Sequence, residues 1–208
     1  TGRAYNSDFE DIYVQGRLTS FRTACGGVVG AITNSARLNR CISNVDVICG
    51  NAAGNKNAVL LGDIEEAGYN AANTKISNCV AVGKPTGKAV SQTDPNASGR
   101  FAYMTADAVD AFENCYENMD CRAGVSLGGA AVPGVKGART SCQVFGTNAD
   151  GDLKTGDAMY LRNNPGFFIG MGFSEDVWEY DPTIQIGMPV LRFVGDRDTF
   201  YDYDLGIS

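Results

Sequence analysis

The 208-residue sequence predicts an all-β fold in which short strands are stacked as a β-solenoid. Three observations predict this class. A cysteine-centred pattern recurs along the chain, the segments around it are short and rich in β-branched and aromatic residues, and helix-disfavouring residues are abundant. Glycine contributes 26 residues and asparagine 16. Both are unfavourable inside helices and common in turns, so we expect many turns and few long helices.

The repeat follows the pattern apolar, polar, Asn or Arg, Cys, apolar. Its copies are Leu38–Val45, Ile76–Gly83, Phe112–Met119 and, in decayed form, Thr140–Gly146. The first three contain Cys41, Cys79 and Cys115, which lie 38 and 36 residues apart, and Cys142 follows 27 residues later. Helical repeats need apolar positions at a 3.6-residue spacing over ten or more residues, and a propeller needs four strands per blade and at least four blades. Neither requirement is met before residue 150.

In a solenoid, equivalent positions of successive windings lie above one another, about 4.8 Å apart. We therefore expect Cys41, Cys79 and Cys115 to form a ladder of small buried side chains. The residue before each cysteine, Arg40 in the first copy and Asn in the others, is expected at a turn. Asn tolerates left-handed backbone there, and stacked Asn side chains can bond one another. The sequence leaves the disulfide state open, with Cys25–Cys49 and Cys115–Cys121 as possible pairs.

Short segments rich in small residues precede the cysteine motifs. Gly26–Gly30 followed by Arg40-Cys41, the segment Ile76–Gly83, and the Asn-Cys-Tyr triplet within Phe112–Asn118 together resemble the GLUG-motif repeat. The closing segment Val177-Trp178-Glu179, with Gly187 to Arg192 after it, is also similar to such proteins. The resemblance covers roughly residues 11 to 195. It departs from the pattern in the second and third units and in the insertions at 63–73 and 84–98.

The resemblance implies a right-handed parallel β-helix from a bacterial cell-surface or secreted protein. GLUG-type repeats occur in adhesin-like proteins and in regions attached to immunoglobulin-A-cleaving metallopeptidases, where they are similar to stalks or binding surfaces. The resemblance therefore implies a non-catalytic adhesion, spacer or binding module that is extracellular or on the cell surface. Its partner would be a host or bacterial surface glycan or protein, and the chain would be part of a larger surface protein.

We expect two regions: solenoid repeats over residues 1–146, with 1–24 as an N-terminal coil or cap, and a C-terminal capping segment over 147–208 packed on the solenoid. Trp178 is expected on the last winding. Within these regions the sequence predicts several local elements. They are strands at Ile12–Val14, Arg17–Phe21, Phe167–Ile169 and Val190–Phe193, short helices at Thr105–Asn114 and Thr155–Arg162, and a polar loop at Lys84–Arg100.

The composition excludes several classes of function. The sequence has no histidine, which removes Ser-His-Asp and Cys-His catalysis and HExxH zinc sites. The formal charge of −7 argues against nucleic-acid and anionic-membrane partners. No apolar run is long enough to span a bilayer. We expect no catalytic, cofactor-binding or metal-binding residues, and no cofactor.

Several acidic or glycine-rich segments are candidate sites. The loop with Asn148, Asp150, Asp152 and Asp157 departs from the EF-hand pattern, because Leu153 and Met159 occupy its glycine and glutamate positions. The other candidates are the acidic aromatic tail Asp196–Asp204, the carboxylate pairs Asp8 with Glu10 and Glu65 with Glu66, and the glycine-rich segment Gly124–Gly137. Carboxylate pairs keep one alternative open: a polysaccharide lyase, glycoside hydrolase or carbohydrate-binding module on a β-helix.

Overall fold

A computed structural model describes residues 2–20, 24–49, 57–83, 85–86, 101–104, 108–118, 143–145, 164–181 and 188–192. Strands dominate this part of the chain. They are β1 Arg3–Ala4, β2 Ser7–Ser20, β3 Cys25–Gly26, β4 Ala31–Ile32, β5 Ala36–Cys49, β6 Asn57–Ala58, β7 Leu61–Ile64, β8 Lys75–Ser77, β9 Val80–Ala81, β10 Pro85–Thr86, β11 Ala102–Met104, β12 Phe112–Glu113, β13 Tyr116–Asn118, β14 Gln143–Phe145, β15 Trp178–Glu179 and β16 Val190–Leu191. The described helices are a 3₁₀ turn at Val109–Ala111 and α1 at Pro165–Gly170.

Nearly all described pairings between these strands are parallel. One sheet has the order β1-β4-β7-β11. The long sheet stacks β2 on β5, then β5 on β8 and β9, then β8 on β12 and β9 on β13, with β14 after β13. β3 pairs with β6 in parallel, whereas β15 and β16 form an antiparallel pair. The order within each of the two larger sheets follows the order along the chain, and the all-β expectation is confirmed.

The register of the long sheet confirms the spacing of the repeats. Leu38 pairs with Ile76 and Ile76 with Phe112, which are offsets of 38 and 36 residues. Tyr116 pairs with Gln143, an offset of 27 that matches the spacing between Cys115 and Cys142. Strand β2 adds one more strand to this stack. The cysteine pattern did not reveal it, because Ile12 of β2, not a cysteine, pairs with Cys41.

The residue before each cysteine adopts the predicted left-handed backbone. φ is +52° at Arg40, +53° at Asn78 and +51° at Asn114, and it is +54° at Asp11, the matching position of β2. Amide side chains bond from pass to pass at this corner: Asn78 Nδ2 donates to Asn39 Oδ1 at 2.9 Å, and Asn114 Nδ2 donates to Asn78 Oδ1 at 2.7 Å. These amide bonds connect the turns of successive strands and stabilise the left-handed backbone at each turn.

The main core consists of apolar side chains from the long sheet and the four-stranded sheet. Leu38, Ile76, Leu61 and Phe101 have no exposed surface or almost none, and the three cysteines of the repeat belong to the same cluster. On the long sheet, Leu38 and Ile76 alternate with outward polar residues, as the period of a strand requires, whereas β7 of the four-stranded sheet is buried at all four positions. The predicted burial of Cys41, Cys79 and Cys115 is confirmed, with exposures of 0 %, 0 % and 2 %.

Glycines permit a close backbone approach where the small-residue segments stack. Gly27 N donates to Val59 O at 2.9 Å, and Gly62 N donates to Val29 O at 3.0 Å. A Cβ atom at Gly26 would lie 2.5 Å from the amide nitrogen of Gly62, closer than side chains pack. The glycines of this segment are therefore required by backbone contact between successive passes.

The C-terminal segment packs against the outer side of the long sheet. Its Phe168, Phe173 and Trp178 are buried in a second cluster with Ile42 and Val80, which are on neighbouring strands of that sheet. The rings meet edge to face, with Phe173 and Trp178 centroids 4.9 Å apart. Edge-to-face contacts of this kind add to the stabilisation from apolar burial.

Three expectations about local structure are wrong. Phe167–Ile169 is within α1, not a strand, because Asn164 caps the helix by accepting from Phe167 N at 3.2 Å and Pro165 occupies the first turn. Ile12–Val14 and Arg17–Phe21 are not two strands, since β2 runs continuously to Ser20 past Gly16. In the segment predicted as a helix over 105–114, described residues 109–113 form a 3₁₀ turn followed by β12.

Other local expectations have mixed outcomes. The strand expected at Val190–Phe193 is present as β16 over its first two residues. The polar loop expected at Lys84–Arg100 is interrupted at its start, because Pro85–Thr86 form β10 and pair with β5. The helix expected at Thr155–Arg162 lies outside the described residues.

Candidate functional site

On the N-terminal side of the left-handed residues, away from the C-terminal segment, the outer side of the long sheet presents polar side chains from four neighbouring strands. In register, Asp8 of β2 pairs with Arg37 of β5, which pairs with Lys75 of β8. The position two residues later is polar on all four strands. We define the outer face as Asp8, Glu10, Arg37, Asn39, Lys75, Ser77 and Glu113. The residues between them on each strand point into the core, which places these side chains on one exposed surface.

Acidic side chains of the outer face pair with donors from the adjacent strand. Glu10 Oε1 accepts from Asn39 Nδ2 at 2.9 Å and lies 2.6 Å from Arg40 Nη2. At the other end, Lys75 Nζ pairs with Glu113 Oε2. Both carboxylates are largely exposed, and ion pairs of this kind contribute at most about 1 kcal/mol each. The pairs therefore balance charge across strands and contribute little to stability.

An open groove of about 290 Å³ lies along the outer face. Its lining consists of Asp8, Phe9, Glu10, Arg37, Leu38, Asn39, Lys75 and Ser77. Pockets that enclose a small molecule are usually about 300–1,000 Å³ and bury most of the ligand. This groove is at the lower limit of that range and open to solvent. Its guanidinium, ammonium, amide and carboxylate groups suit an extended polar ligand that lies on the surface.

A partly buried ion pair joins the left-handed residues Asp11 and Arg40 next to the outer face. Arg40 donates from Nε to Asp11 Oδ1 at 2.7 Å and from Nη2 to Oδ2 at 2.8 Å, and Trp178 Nε1 donates to Oδ1 at 2.8 Å. The bond from Arg40 lowers the pKa of Asp11 below its usual 3.8; burial opposes this effect, and Trp178 assists it. The same contact raises the pKa of Arg40. Asp11 is held ionised, which suits a structural anchor and not a general acid.

Burial makes the thiols of Cys41, Cys79 and Cys115 unreactive as nucleophiles. Cys79 Sγ lies 3.0 Å from Ser77 O, and Cys115 Sγ lies 3.3 Å from Ile76 O. Burial raises the pKa of the Cys79 thiol well above its usual value, and the neighbouring thiols of Cys115 and Cys41 raise it further. A thiol in this environment is not a nucleophile at neutral pH. Neither Cys25 nor Cys115 is in a disulfide bond, so the two pairs that the sequence left open, Cys25–Cys49 and Cys115–Cys121, are not formed.

The structure places one of the two candidate carboxylate pairs on the outer face. Asp8 and Glu10 share the outer face, whereas Glu65 pairs with Arg3 at 2.9 Å and lies beside the four-stranded sheet. The acidic loop Asn148–Asp157, the tail Asp196–Asp204 and the segment Gly124–Gly137 lie outside the described residues. Within the described ranges, no group of three or more Cys, Asp or Glu side chains could hold a metal ion.

The sequence predicted Trp178 on the last winding, and this prediction is wrong. Its indole bonds to Asp11 of β2, the strand at the opposite end of the long sheet from β14. Sequence reasoning identified neither this contact nor the role of Asp11. A signal for Asp11 was present, since it lies one residue before Ile12 in the same polar–apolar pattern that precedes Cys41.

No helix in the described part of the chain is long and apolar enough to cross a membrane.

Comparisons of the chain with protein-family models, curated protein sequences and solved structures find no significant match. The function is therefore argued from the geometry of the outer face and from the repeat.

Proposed function

We propose that this chain is a non-catalytic binding or spacer module built as a right-handed parallel β-helix of the GLUG-repeat type. Support for the architecture comes from sheet order that follows chain order and from left-handed residues at matching positions of Asp11, Arg40, Asn78 and Asn114. We further propose that it is part of a larger bacterial cell-surface or secreted protein. Support for that location comes from the repeat pattern around Cys41, Cys79 and Cys115.

The observation that carries the non-catalytic assignment is the pairing of carboxylates across strands. Glu10 and Glu113 each accept from a cation of a neighbouring strand, and Asp11 accepts from both Arg40 and Trp178. A glycosidase needs two carboxyl groups that face one substrate, with one kept protonated as the acid. In the described residues, these carboxylates instead pair with Arg, Lys and Trp side chains, which carry their protons at neutral pH.

The proposed partner is a surface glycan or a protein that lies along the outer face. Arg37 and Lys75 are adjacent in register and exposed, so they provide donors at neighbouring rungs of the sheet. Asp8 and Glu10 provide acceptors beside them. Donors and acceptors at a regular spacing match an extended chain of hydroxyl groups or a polar peptide.

The second candidate is a polysaccharide lyase, a glycoside hydrolase or a carbohydrate-binding module on the same scaffold. The placement of Asp8, Arg37 and Lys75 along one exposed parallel sheet favours it, because such a surface can carry both acid–base groups and charge-stabilising groups. Binding without turnover by this surface would be compatible with either the first proposal or a carbohydrate-binding module.

A glycan array combined with polysaccharide turnover assays tests these functions. The test variants are Arg37→Ala and Lys75→Ala, and Arg17→Ala is the matched control, since Arg17 is an exposed cation of β2 outside the groove. We expect specific binding that falls at least about fivefold in the test variants and is unchanged in the control. Release of oligosaccharides from any polysaccharide, lost in the same variants, would replace the non-catalytic proposal with the enzymatic one.

A further inference from the structure

The three buried cysteines of the repeat, which we call the thiol ladder, occupy equivalent positions of neighbouring strands in the long sheet. Residues on both sides of Cys41 pair with β8 and β9 at an offset of 38, and residues on both sides of Cys79 pair with β12 and β13 at an offset of 36. These offsets equal the spacings between the cysteines. Cys79 therefore lies between Cys41 on one side and Cys115 on the other, and all three are free thiols.

The strand spacing places neighbouring cysteines of the thiol ladder within reach of a disulfide bond. Adjacent strands lie about 4.8 Å apart, and the α-carbons of a disulfide lie about 4.4–6.8 Å apart. The side chains point in the same direction, because all three belong to one core cluster. Cys41 and Cys115 are two strands apart, about 9.6 Å, which is beyond this range. Any disulfide within the thiol ladder must therefore include Cys79.

The position of the Cys115 sulfur favours one of the two neighbours of Cys79. Cys115 Sγ lies 3.3 Å from Ile76 O, a carbonyl of β8 that is three residues before Cys79. Cys41 Sγ instead lies 3.9 Å from Phe9 O of β2, on the side away from Cys79. Burial has the largest effect on the pKa of the Cys79 thiol, and of the two neighbouring thiols Cys115 raises this pKa more than Cys41 does.

We propose that Cys79 and Cys115 form a disulfide bond when the chain folds in the presence of a low-molecular-weight disulfide, for which oxidised glutathione is the probe. One protein thiolate attacks glutathione disulfide, which gives a mixed disulfide and releases one glutathione thiolate. The second protein thiolate attacks the mixed disulfide and releases the other. Two protein thiols are oxidised, one glutathione disulfide is reduced, and the two protons from the protein are taken up by the two glutathione thiolates. Cys41 keeps its thiol.

Burial determines when this bond forms. In the folded chain both Cys79 and Cys115 are buried and thiolate is scarce, so an oxidant reacts with them slowly. Before β13 stacks on β9 during folding, neither sulfur is enclosed by that pairing. Once the bond is present, the same burial protects it, since a reductant must reach one of its sulfurs. The bond closes a loop between strands 36 residues apart, which restricts the unfolded chain and stabilises the folded one.

The opposing interpretation is that the thiol ladder serves only as a row of compact core side chains. The β-carbons of a disulfide lie about 3.8 Å apart, closer than the spacing between strands, so β9 and β13 must approach each other locally. If that approach costs more than the bond gains, all three thiols stay free under the same oxidising conditions. The two interpretations therefore differ in the state of Cys79 and Cys115 after oxidative folding.

The test refolds the full chain from urea in a buffer of oxidised and reduced glutathione and, in parallel, in a buffer with excess reductant. Remaining thiols are alkylated, and peptide mapping by mass spectrometry without reduction locates each disulfide. The test variant is Cys115→Ala. The matched control is Cys41→Ala, which removes the other neighbour of Cys79 and makes a substitution of the same size. Circular dichroism verifies that each variant is folded, and the mapping of the wild-type chain is decisive without any variant.

We expect a Cys79–Cys115 disulfide in most molecules of the wild-type chain and of Cys41→Ala, with the Cys41 thiol of the wild-type chain alkylated. The oxidised wild-type chain should unfold at a urea concentration about 1 M or more above that of the reduced chain, and this shift should be smaller in Cys115→Ala. Free thiols at Cys79 and Cys115 after oxidative refolding would overturn the proposal. A bond from Cys79 to Cys41, or from either residue of the proposed pair to a cysteine outside the thiol ladder, would also overturn it.

Discussion

The indole nitrogen of Trp178 donates a hydrogen bond of 2.8 Å to the carboxylate of Asp11, a residue 167 positions earlier in the chain. The same carboxylate accepts two bonds from Arg40, so one acidic side chain joins β2, β5 and the C-terminal segment. Bonds from a cation and an indole to one partly buried carboxylate are charge-assisted and stronger than neutral ones. Asp11 is therefore the anchor between the C-terminal segment and the long sheet.

The substitution Trp178→Phe is expected to lower the free energy of unfolding by about 2–3 kcal/mol, because it removes a charge-assisted bond and part of a buried ring. The control is Tyr180→Phe, which removes a neutral bond of 2.8 Å from Tyr180 Oη to Phe173 O and should cost about 1 kcal/mol. Urea unfolding followed by circular dichroism measures the free energy of unfolding of both variants. Tryptophan fluorescence is unsuitable, because Trp178 is the sole tryptophan and the substitution removes it. A smaller loss for Trp178→Phe than for Tyr180→Phe would contradict the anchor role.

The anchor predicts a component of acid sensitivity. The pKa of Asp11 is lower in the folded chain than its usual 3.8, chiefly because Arg40 donates to it. A depressed folded pKa contributes stability above the unfolded pKa, and this stability is lost as the pH falls through the folded pKa. The wild-type chain should therefore lose more stability than Asp11→Asn between about pH 5 and about pH 2. Chemical denaturation at a series of pH values measures the difference, and parallel curves for the two proteins would refute it.

The thiol ladder predicts slow modification of the native chain. Cys41, Cys79 and Cys115 are buried, and burial raises the pKa of the Cys79 thiol, so both access and thiolate are scarce. Maleimide labelling with peptide mapping should find these three cysteines unmodified in the native chain and modified in urea. The substitution Cys79→Asp should destabilise the chain by at least about 3 kcal/mol, because it buries an unpaired charge, whereas Cys79→Ala should cost about 1–2 kcal/mol. Rapid native labelling of Cys79 would contradict its interior position.

The parts of the fold that were predictable from the sequence are those with a repeating signal. The spacings of 38 and 36 residues between Cys41, Cys79 and Cys115 predicted the register of three strands, because parallel stacking places equivalent residues in contact. The pattern missed β2, since Ile12 occupies the cysteine position there. An inward position requires a compact apolar side chain, and isoleucine meets that need without matching the cysteine motif.

The C-terminal segment was less predictable because its position depends on contacts distant in sequence. Apolar content alone suggested a strand at Phe167–Ile169, whereas the capping residue Asn164 and the proline after it decide for a helix. The docking of Trp178 depends on Asp11, and no local pattern relates the two. The outer face was not predictable as a surface either, since Asp8, Arg37 and Lys75 become neighbours only once the register is known.

The left-handed corner gives a prediction that separates backbone from side-chain effects. Asn78 has φ of +53°, donates to Asn39 Oδ1 and accepts from Asn114 Nδ2. Asn78→Gly removes both side-chain bonds but permits the backbone, so we expect a loss of about 1–2 kcal/mol. Asn78→Ala removes the same bonds and adds the cost of a left-handed Cβ, so it should lose about 1 kcal/mol more.

Equilibrium unfolding of the two Asn78 variants in urea measures that difference directly. Because both lack the amide, they differ only in the Cβ atom at the corner and in the freedom of the unfolded chain, where glycine gains entropy and is penalised. The entropy effect alone would make Asn78→Ala the more stable of the two. Finding Asn78→Ala equal to or above Asn78→Gly in stability would therefore show that left-handed backbone at this position is not required by the stack. The opposite order would show that the corner imposes it.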